Sequence, residues 1–289
     1  LLKQKALVKV KELTGKQIAR DIRDNLKEII SGSNIEPKIA AVIFGDDEGS
    51  VLYARSKART AKKIGIELEI KQFPVDITTK KAKQIIVDLS EDPQIHGIII
   101  EEPIPSGIDT YSLRESIAPN KDIDCANPIN LGRILSGNPL YLPATPASIL
   151  KLLEHYDIKT EGKEVVIVGR SRTVGLPMAN LLLRKSEFGN ATVTVCHSRT
   201  KDLANITRKA DILIVSAGKA GLINKNHVSE KSVIIDVGIN YVDNKVVGDV
   251  DFDQVKDICE AITPVPGGIG PITVSCLLEN GYMASNYDE

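Results

Sequence analysis

The apolar residues of this chain follow two periods that alternate along its length. Thr14 can cap a helix, and Ile18, Ile22, Leu26, Ile29 and Ile30 follow at helical spacing, which predicts a helix over 14–32. The run from Lys38 to Phe44 is almost continuously apolar and predicts a buried strand, which Gly45, Asp46 and Asp47 end. A helix over 49–64 closes at Gly65, an alternating segment over 67–73 predicts a strand, and 78–90 is an amphipathic helix. Residues 95–100 form a second buried run. This strand–helix rhythm predicts parallel pairing with right-handed crossovers. Residues 119–146 are rich in Pro, Asn, Asp and Gly and read as a functional or inter-domain loop region. A helix over 146–156 follows, with Pro146 near its start. Strands at 164–168, 192–196, 211–216 and 232–237 then alternate with helices through Leu183 and near 201–208. Residues 161–240 therefore look like a doubly wound, Rossmann-like parallel sheet. A last helix is expected after Pro271, running to about 283.

Two loops stand out. Gly169-Arg170-Ser171-Arg172-Thr173-Val174-Gly175-Leu176-Pro177 follows a strand and precedes a helix starting near Val174. Backbone N–H groups and the helix dipole would meet there, as an anion site for a pyrophosphate needs. The spacing is not G-x-G-x-x-G, so the generic fingerprint is weak. Arg170 could grip a 2′-phosphate, and His197, Ser198 and Arg199 follow the next strand, where the adenosine ribose of a dinucleotide lies. A hydroxyl and a cation in place of an acid favour NADP over NAD; the bland reading of both arginines is a surface ion pair. The second loop, Pro264-Val265-Pro266-Gly267-Gly268-Ile269-Gly270-Pro271-Ile272-Thr273, holds three prolines and three glycines. It reads as a stiff, bare loop that can be neither helix nor central strand.

Composition narrows the classes. The 289 residues suggest about two domains, and 42% hydrophobic content supports ordinary cores. A net charge of −1 and the absence of Trp argue against a nucleic-acid surface. Lys62-Lys63 and Lys80-Lys81 read as solvated helix faces. Cys125, Cys196, Cys259 and Cys276 form no C-x-x-C pair and are expected as buried thiols in a reducing compartment. No apolar run approaches the ~18 residues of a membrane span. Lys3 comes early but no signal-peptide pattern surrounds it, so a cytoplasmic location is expected. His96, His155 and His197 are scattered, and no metal site is expected.

Taken together, the motifs resemble the methylenetetrahydrofolate dehydrogenase/methenyltetrahydrofolate cyclohydrolase family over essentially the whole chain. They are Tyr53-x-x-x-Lys57, Glu102-Pro103-Ile104-Pro105, Pro119 to Asp124, Pro143-Ala144-Thr145-Pro146, the Gly169 loop, Cys196 to Thr200, Asp236 to Asn240 and Pro264 to Thr273. The resemblance implies two α/β domains flanking a cleft. One is a folate-binding catalytic domain over 1–142, completed by a C-terminal helix at 272–289. The other, 143–271, is a Rossmann-like NADP domain. A homodimer is implied, with tetrahydrofolate derivatives as substrates in the one-carbon metabolism that supplies purine biosynthesis.

The resemblance also assigns roles. Lys57 is the catalytic lysine of the hydrolysis, Tyr53 packs on the folate, and Asp124 hydrogen-bonds the pterin. Pro266, Gly267, Gly270 and Thr273 line the site, Ile239 touches the cofactor, and Gly169, Arg170, Ser171, Val174, Gly175, His197, Ser198, Arg199 and Thr273 bind it. Read without the family, Lys57 sits on a helix with Arg55, Arg59, Lys62 and Lys63 and looks like surface decoration, and Asp124 looks like a turn cap. Three positions depart from the family. Glu101 replaces a glutamine that contacts the catalytic lysine. An ionised carboxylate there favours the ammonium of Lys57, a poor base; alternatively the pair shares a proton and Glu101 is the base. A dehydrogenase with weak or absent cyclohydrolase is the alternative reading. Cys125 replaces the usual Gly, and Ala144 a Cys.

Overall fold

The structure is a computed structural model and describes residues 10–243 and 245–287. These form two compact units: residues 17–148 with the C-terminal segment from Ile272, and residues 149–271 with the N-terminal segment ending at Lys16. The elements of the first half run β1 (Lys11–Glu12), α1 (Lys16–Ser31), β2 (Lys38–Phe44), α2 (Glu48–Lys62), β3 (Glu67–Phe73), α3 (Thr79–Glu91), β4 (Gly97–Ile100), α4 (Thr110–Glu115), α5 (Pro128–Leu135) and α6 (Ala144–His155).

In the first unit β2 lies between β3 and β4, parallel to both. A central strand has both faces covered, which is why β2 carries apolar residues at successive positions. Ala40, Val42 and Phe44 pack with Ala82, Ile86 and Leu89 of α3 on one face. On the other, Gly281 comes so close that an added Cβ would lie 2.4 Å from Ile39 Cδ1. The region read as loop over 119–146 contains two helical pieces. Asn127 caps α5 by accepting from Ile129 N at 2.7 Å, Pro128 occupies its first turn, and α6 begins at Ala144. Turn-formers favour helix starts as readily as loops, so composition alone could not separate the two.

The second unit continues with β5 (Glu164–Val168), α7 (Gly175–Leu183), β6 (Thr192–Cys196), α8 (Leu203–Thr207), β7 (Ile212–Val215), β8 (Val233–Asp236), β9 (Asn240–Val242), β10 (Lys245–Val247), α9 (Phe252–Val255), β11 (Ala261–Ile262) and α10 (Ile269–Ser285). Six strands form a parallel sheet in the order β1-β11-β8-β7-β5-β6, and β9 and β10 make a hairpin. The chain leaves β5 for β6 on one side and returns to β7 on the other, so the β5–β7 crevice is a topological switch point. Residues 10–16 differ from the expected boundary. Lys11 pairs with Ala261, and Gly15 N donates to Gly267 O at 2.9 Å, so this segment joins the second unit. A two-residue strand carries no period for a sequence reading to detect.

The Pro/Gly loop is also corrected at its end. Residues 264–268 are non-helical, but α10 begins at Ile269 and takes Gly270 and Pro271 into its first turn. Pro lacks only an N–H that the first turn leaves unpaired in any case. Among the described residues, no helix is long and apolar enough to cross a membrane. The four cysteines are buried and free.

Candidate active site

Helix α2 is set by its cap: Asp47 Oδ1 accepts from Ser50 N at 2.8 Å. Tyr53 and Lys57, four residues apart, share one face. Lys57 is not surface decoration. It is buried, and Nζ lies 2.7 Å from Oε2 and 2.5 Å from Oε1 of the equally buried Glu101. Oε1 is within ion-pair reach yet outside hydrogen-bond geometry and has no other partner among the described residues. The Tyr53 ring lies 4.5 Å from Nζ, and a ring face favours the cationic form. Glu101 is placed by the sheet, because its N–H donates to Val42 O at 2.9 Å directly after β4.

Asp122 and Asp124 differ in their bonding. Asp122 is the turn cap: its carboxylate accepts from Ala126 N, Asn127 N and Asn130 Nδ2 at 2.9, 2.9 and 2.8 Å. Asp124 carries no such bonds from the described residues. Burial pushes its carboxyl up to about 7, against the pull of Lys57 and with the help of Asp122 and Glu101. Its electrostatic coupling to both Lys57 and Glu101 makes Lys57, Glu101, Asp124 and Tyr53 one cluster within the first unit. Cys125 follows with φ 54, the left-handed region that favours glycine. Asn280 of α10, which the motifs did not flag, donates to Ile123 O and Leu142 O, each at 2.8 Å, and so fixes the Asp124 loop.

The second unit holds a pocket of about 470 Å³ over the switch point, within the range of ligand sites. Gly169, Arg170, Ser171, His197 and Ser198 line it, together with Lys219. Gly169 has φ +134, and a Cβ there would lie 2.1 Å from Ser216 O; one on Gly175 would lie 2.2 Å from Gly169 O. Bare backbone is required at both. The anion site expected at the helix start is partly occupied. Ser171 Oγ accepts from Val174 N and Gly175 N at 3.1 and 3.4 Å, and Ser171 O accepts from Leu176 N at 3.0 Å. Arg170 and Arg199 are exposed, and no ion pair of the described residues engages either. His197 Nδ1 accepts from Arg199 N at 3.2 Å.

Ile239, Pro266, Gly267 and Gly270 line one further pocket of about 120 Å³ in the same unit. Thr273 belongs to the first unit, where Oγ1 is 3.1 Å from Ser148 Oγ.

The sequence model of the tetrahydrofolate dehydrogenase/cyclohydrolase catalytic domain matches residues 13–124, and that of the NAD(P)-binding domain of the same enzymes matches residues 143–289. The chain belongs to the tetrahydrofolate dehydrogenase/cyclohydrolase family. Among relatives, the bifunctional protein FolD of Methanosphaerula palustris is 46% identical over 273 residues, 94% of this chain and 96% of that protein. The crystal structure of the FolD methylenetetrahydrofolate dehydrogenase/cyclohydrolase from Campylobacter jejuni is 40% identical, with a TM-score of 0.90 over 96% of this chain and 99% of that one. The Trypanosoma brucei dehydrogenase-cyclohydrolase, solved with NADP cofactor and an inhibitor, is 32% identical with a TM-score of 0.90, covering 96% and 97%.

Within this tetrahydrofolate dehydrogenase/cyclohydrolase chain, sequence reasoning also missed Asp249. It is wholly buried and accepts the N–H groups of Ala217, Gly218 and Lys219. The signal available was a Gly248-Asp249 pair after a strand, too short to stand out.

Proposed function

We propose that this chain oxidises 5,10-methylenetetrahydrofolate with NADP and hydrolyses the methenyl product to 10-formyltetrahydrofolate. Family membership supports both steps. The observation that carries the chemistry is the buried Lys57–Glu101 pair, with the Tyr53 ring over the ammonium and Asp124 in its field.

The residues of the switch-point pocket fit a dinucleotide. Gly169 and Gly175 leave backbone where no side chain fits, and Arg170, Ser198 and Arg199 offer cations and a hydroxyl to a 2′-phosphate. NADP supplies a hydride acceptor when bound. The wall of Ile239, Pro266, Gly267 and Gly270 is small and stiff, which suits holding a flat ring against a second ring at about 3–3.5 Å. The lone pair of a folate nitrogen expels the hydride, so no side-chain acid or base is required. Hydrolysis does require one. As water adds to the methenyl carbon, its proton passes to the Lys57–Glu101 pair; the carbon–nitrogen bond then opens and the nitrogen regains a proton. Tyr53 packs on the folate, and Asp124 accepts N–H groups of the pterin.

A homodimer in the cytoplasm, serving one-carbon supply for purine biosynthesis, belongs to the same reading. The test follows NADP reduction and methenyl-folate absorbance together, starting from methylenetetrahydrofolate. Methenyl-folate that appears and then decays faster than its uncatalysed hydrolysis is the expected result. Accumulation with decay at the solvent rate leaves a dehydrogenase alone, and no NADP reduction overturns the reading.

A further inference from the structure

The switch-point pocket holds a cation that no motif singled out. Lys219 follows β7 in the turn Ala217-Gly218-Lys219 and lines the same pocket as Gly169 and Arg170. It is exposed, and no ion pair of the described residues engages its ammonium. Its backbone, by contrast, is held hard. Asp249 Oδ2 accepts from Ala217 N at 2.6 Å and Gly218 N at 2.9 Å, and Oδ1 accepts from Lys219 N at 2.8 Å and Asn240 Nδ2 at 2.9 Å. Those four donors meet a carboxylate's acceptor capacity. Asp249 is itself held, because its N–H donates to Asp236 Oδ1 at 3.0 Å at the end of β8. The packing leaves no slack: a Cβ on Gly238 would lie 2.2 Å from Asp249 Cγ.

The rigid turn thus fixes the base of a long cationic side chain. The start of α7, beside the same pocket, shows what that cation could meet. The N–H groups of Val174, Gly175 and Leu176 at the start of α7 are taken by Ser171. A diphosphate lying over the β5–β7 crevice therefore cannot draw on those three donors without displacing Ser171, which shifts the task of meeting its charge toward side chains.

We infer that Lys219 neutralises the diphosphate of the bound dinucleotide and that Asp249 is its positioning residue. The inference rests on the dinucleotide reading of this pocket. It separates Lys219 from Arg170: a diphosphate is common to NADP and NAD, whereas a 2′-phosphate belongs to NADP alone.

Calorimetric titration of NADP, NAD and inorganic pyrophosphate into the wild type and into Lys219→Ala, Lys219→Arg and Asp249→Asn tests it. Lys219→Ala is expected to weaken both dinucleotides by roughly tenfold, as befits loss of one charge-assisted contact. The ratio of the two affinities should stay within about twofold, and pyrophosphate binding should fall with them. Lys219→Arg should restore most of the loss, and Asp249→Asn should reproduce it in protein whose melting shows a folded state. Unchanged dinucleotide affinity in Lys219→Ala overturns the inference, as does a loss confined to NADP. Failure of the wild type to bind either dinucleotide overturns the pocket reading, and the inference with it.

Discussion

Lys57 Nζ stands 2.7 Å from Glu101 Oε2 with both side chains withdrawn from water. Each group is the other's main polar partner in a site closed to water. Within the pair, a lysine takes a proton from water only as the free amine, whereas a carboxylate takes one directly. With Lys57 as the base, Glu101→Gln is expected to raise the turnover of methenyl-folate hydrolysis near neutral pH, by roughly tenfold. Decay of methenyl-folate absorbance over about pH 6–9 is the check. Coincident profiles for wild type and variant would refute the idea, and a fall in turnover would instead make Glu101 the base. The same variant should lose about 3 kcal/mol of stability, because it leaves Lys57 buried without its ionic partner.

Asp124 supplies a pH dependence of a different kind. Its carboxyl titrates at about 7 in the folded chain against an ordinary value of 3.8, chiefly because of burial, and Asp236 is raised to about 7 for the same first reason. Between those values the folded state binds more protons than the unfolded one, so stability falls as pH rises from about 4 to about 7 and levels off above. Asp124→Asn should make that decline shallower in denaturant titrations run at several pH values. An unaltered slope would count against the burial of this carboxyl.

The protonation of Asp124 should also reach the substrate. An ionised carboxylate can accept two pterin N–H groups, and the neutral acid accepts fewer. KM for the folate substrate is expected to rise as pH drops below about 7, and Asp124→Asn to raise KM roughly tenfold with little remaining pH dependence. A variant that kept the wild-type profile would remove Asp124 from pterin recognition.

A narrower choice tests Arg170. It is exposed and lines the switch-point pocket, so its removal should leave the fold alone. Arg170→Ala is expected to raise KM for NADP about tenfold while changing that for NAD far less, since only NADP carries the 2′-phosphate. An equal shift for both cofactors would move Arg170 to the shared part of the dinucleotide.

These residues were not equally legible. The strands at 38–44, 67–73, 164–168 and 192–196 have the bounds that their patterns predict: the first and third lie inside their sheets and are almost continuously apolar, while the second and fourth lie at sheet edges and alternate. The motifs also marked Lys57, Glu101 and Asp124. What sequence could not supply was depth. Lys57 shares its helix with Arg55, Arg59, Lys62 and Lys63, and only the fold distinguishes the one lysine turned to Glu101. Nor could it say that Asp122 takes the capping bonds and leaves Asp124 without them, since the two lie in the same turn-rich stretch. Asp249 and Asn280 were invisible for a related reason: each acts on backbone groups distant in sequence, and such partners leave no local pattern.

Asn280 gives a stringent test of that last point. It is buried on α10, and its one amide nitrogen donates to Ile123 O and Leu142 O. Replacing it by Leu keeps the branched shape but leaves the carbonyls of Ile123 and Leu142 without this donor, at a cost of about 1–3 kcal/mol for each that water does not reach. Because Ile123 directly precedes Asp124, the loss should not be confined to stability. Asn280→Leu is expected to lower the denaturation midpoint and to raise KM for the folate substrate, while the affinity for NADP changes far less. The carbonyls it releases belong to the first unit, and the dinucleotide pocket is built wholly from the second. A variant that lost stability with folate and NADP affinities both intact would show that the hydrogen bonds hold the helix without placing Asp124. A parallel loss of both affinities would show that the damage spreads beyond the loop.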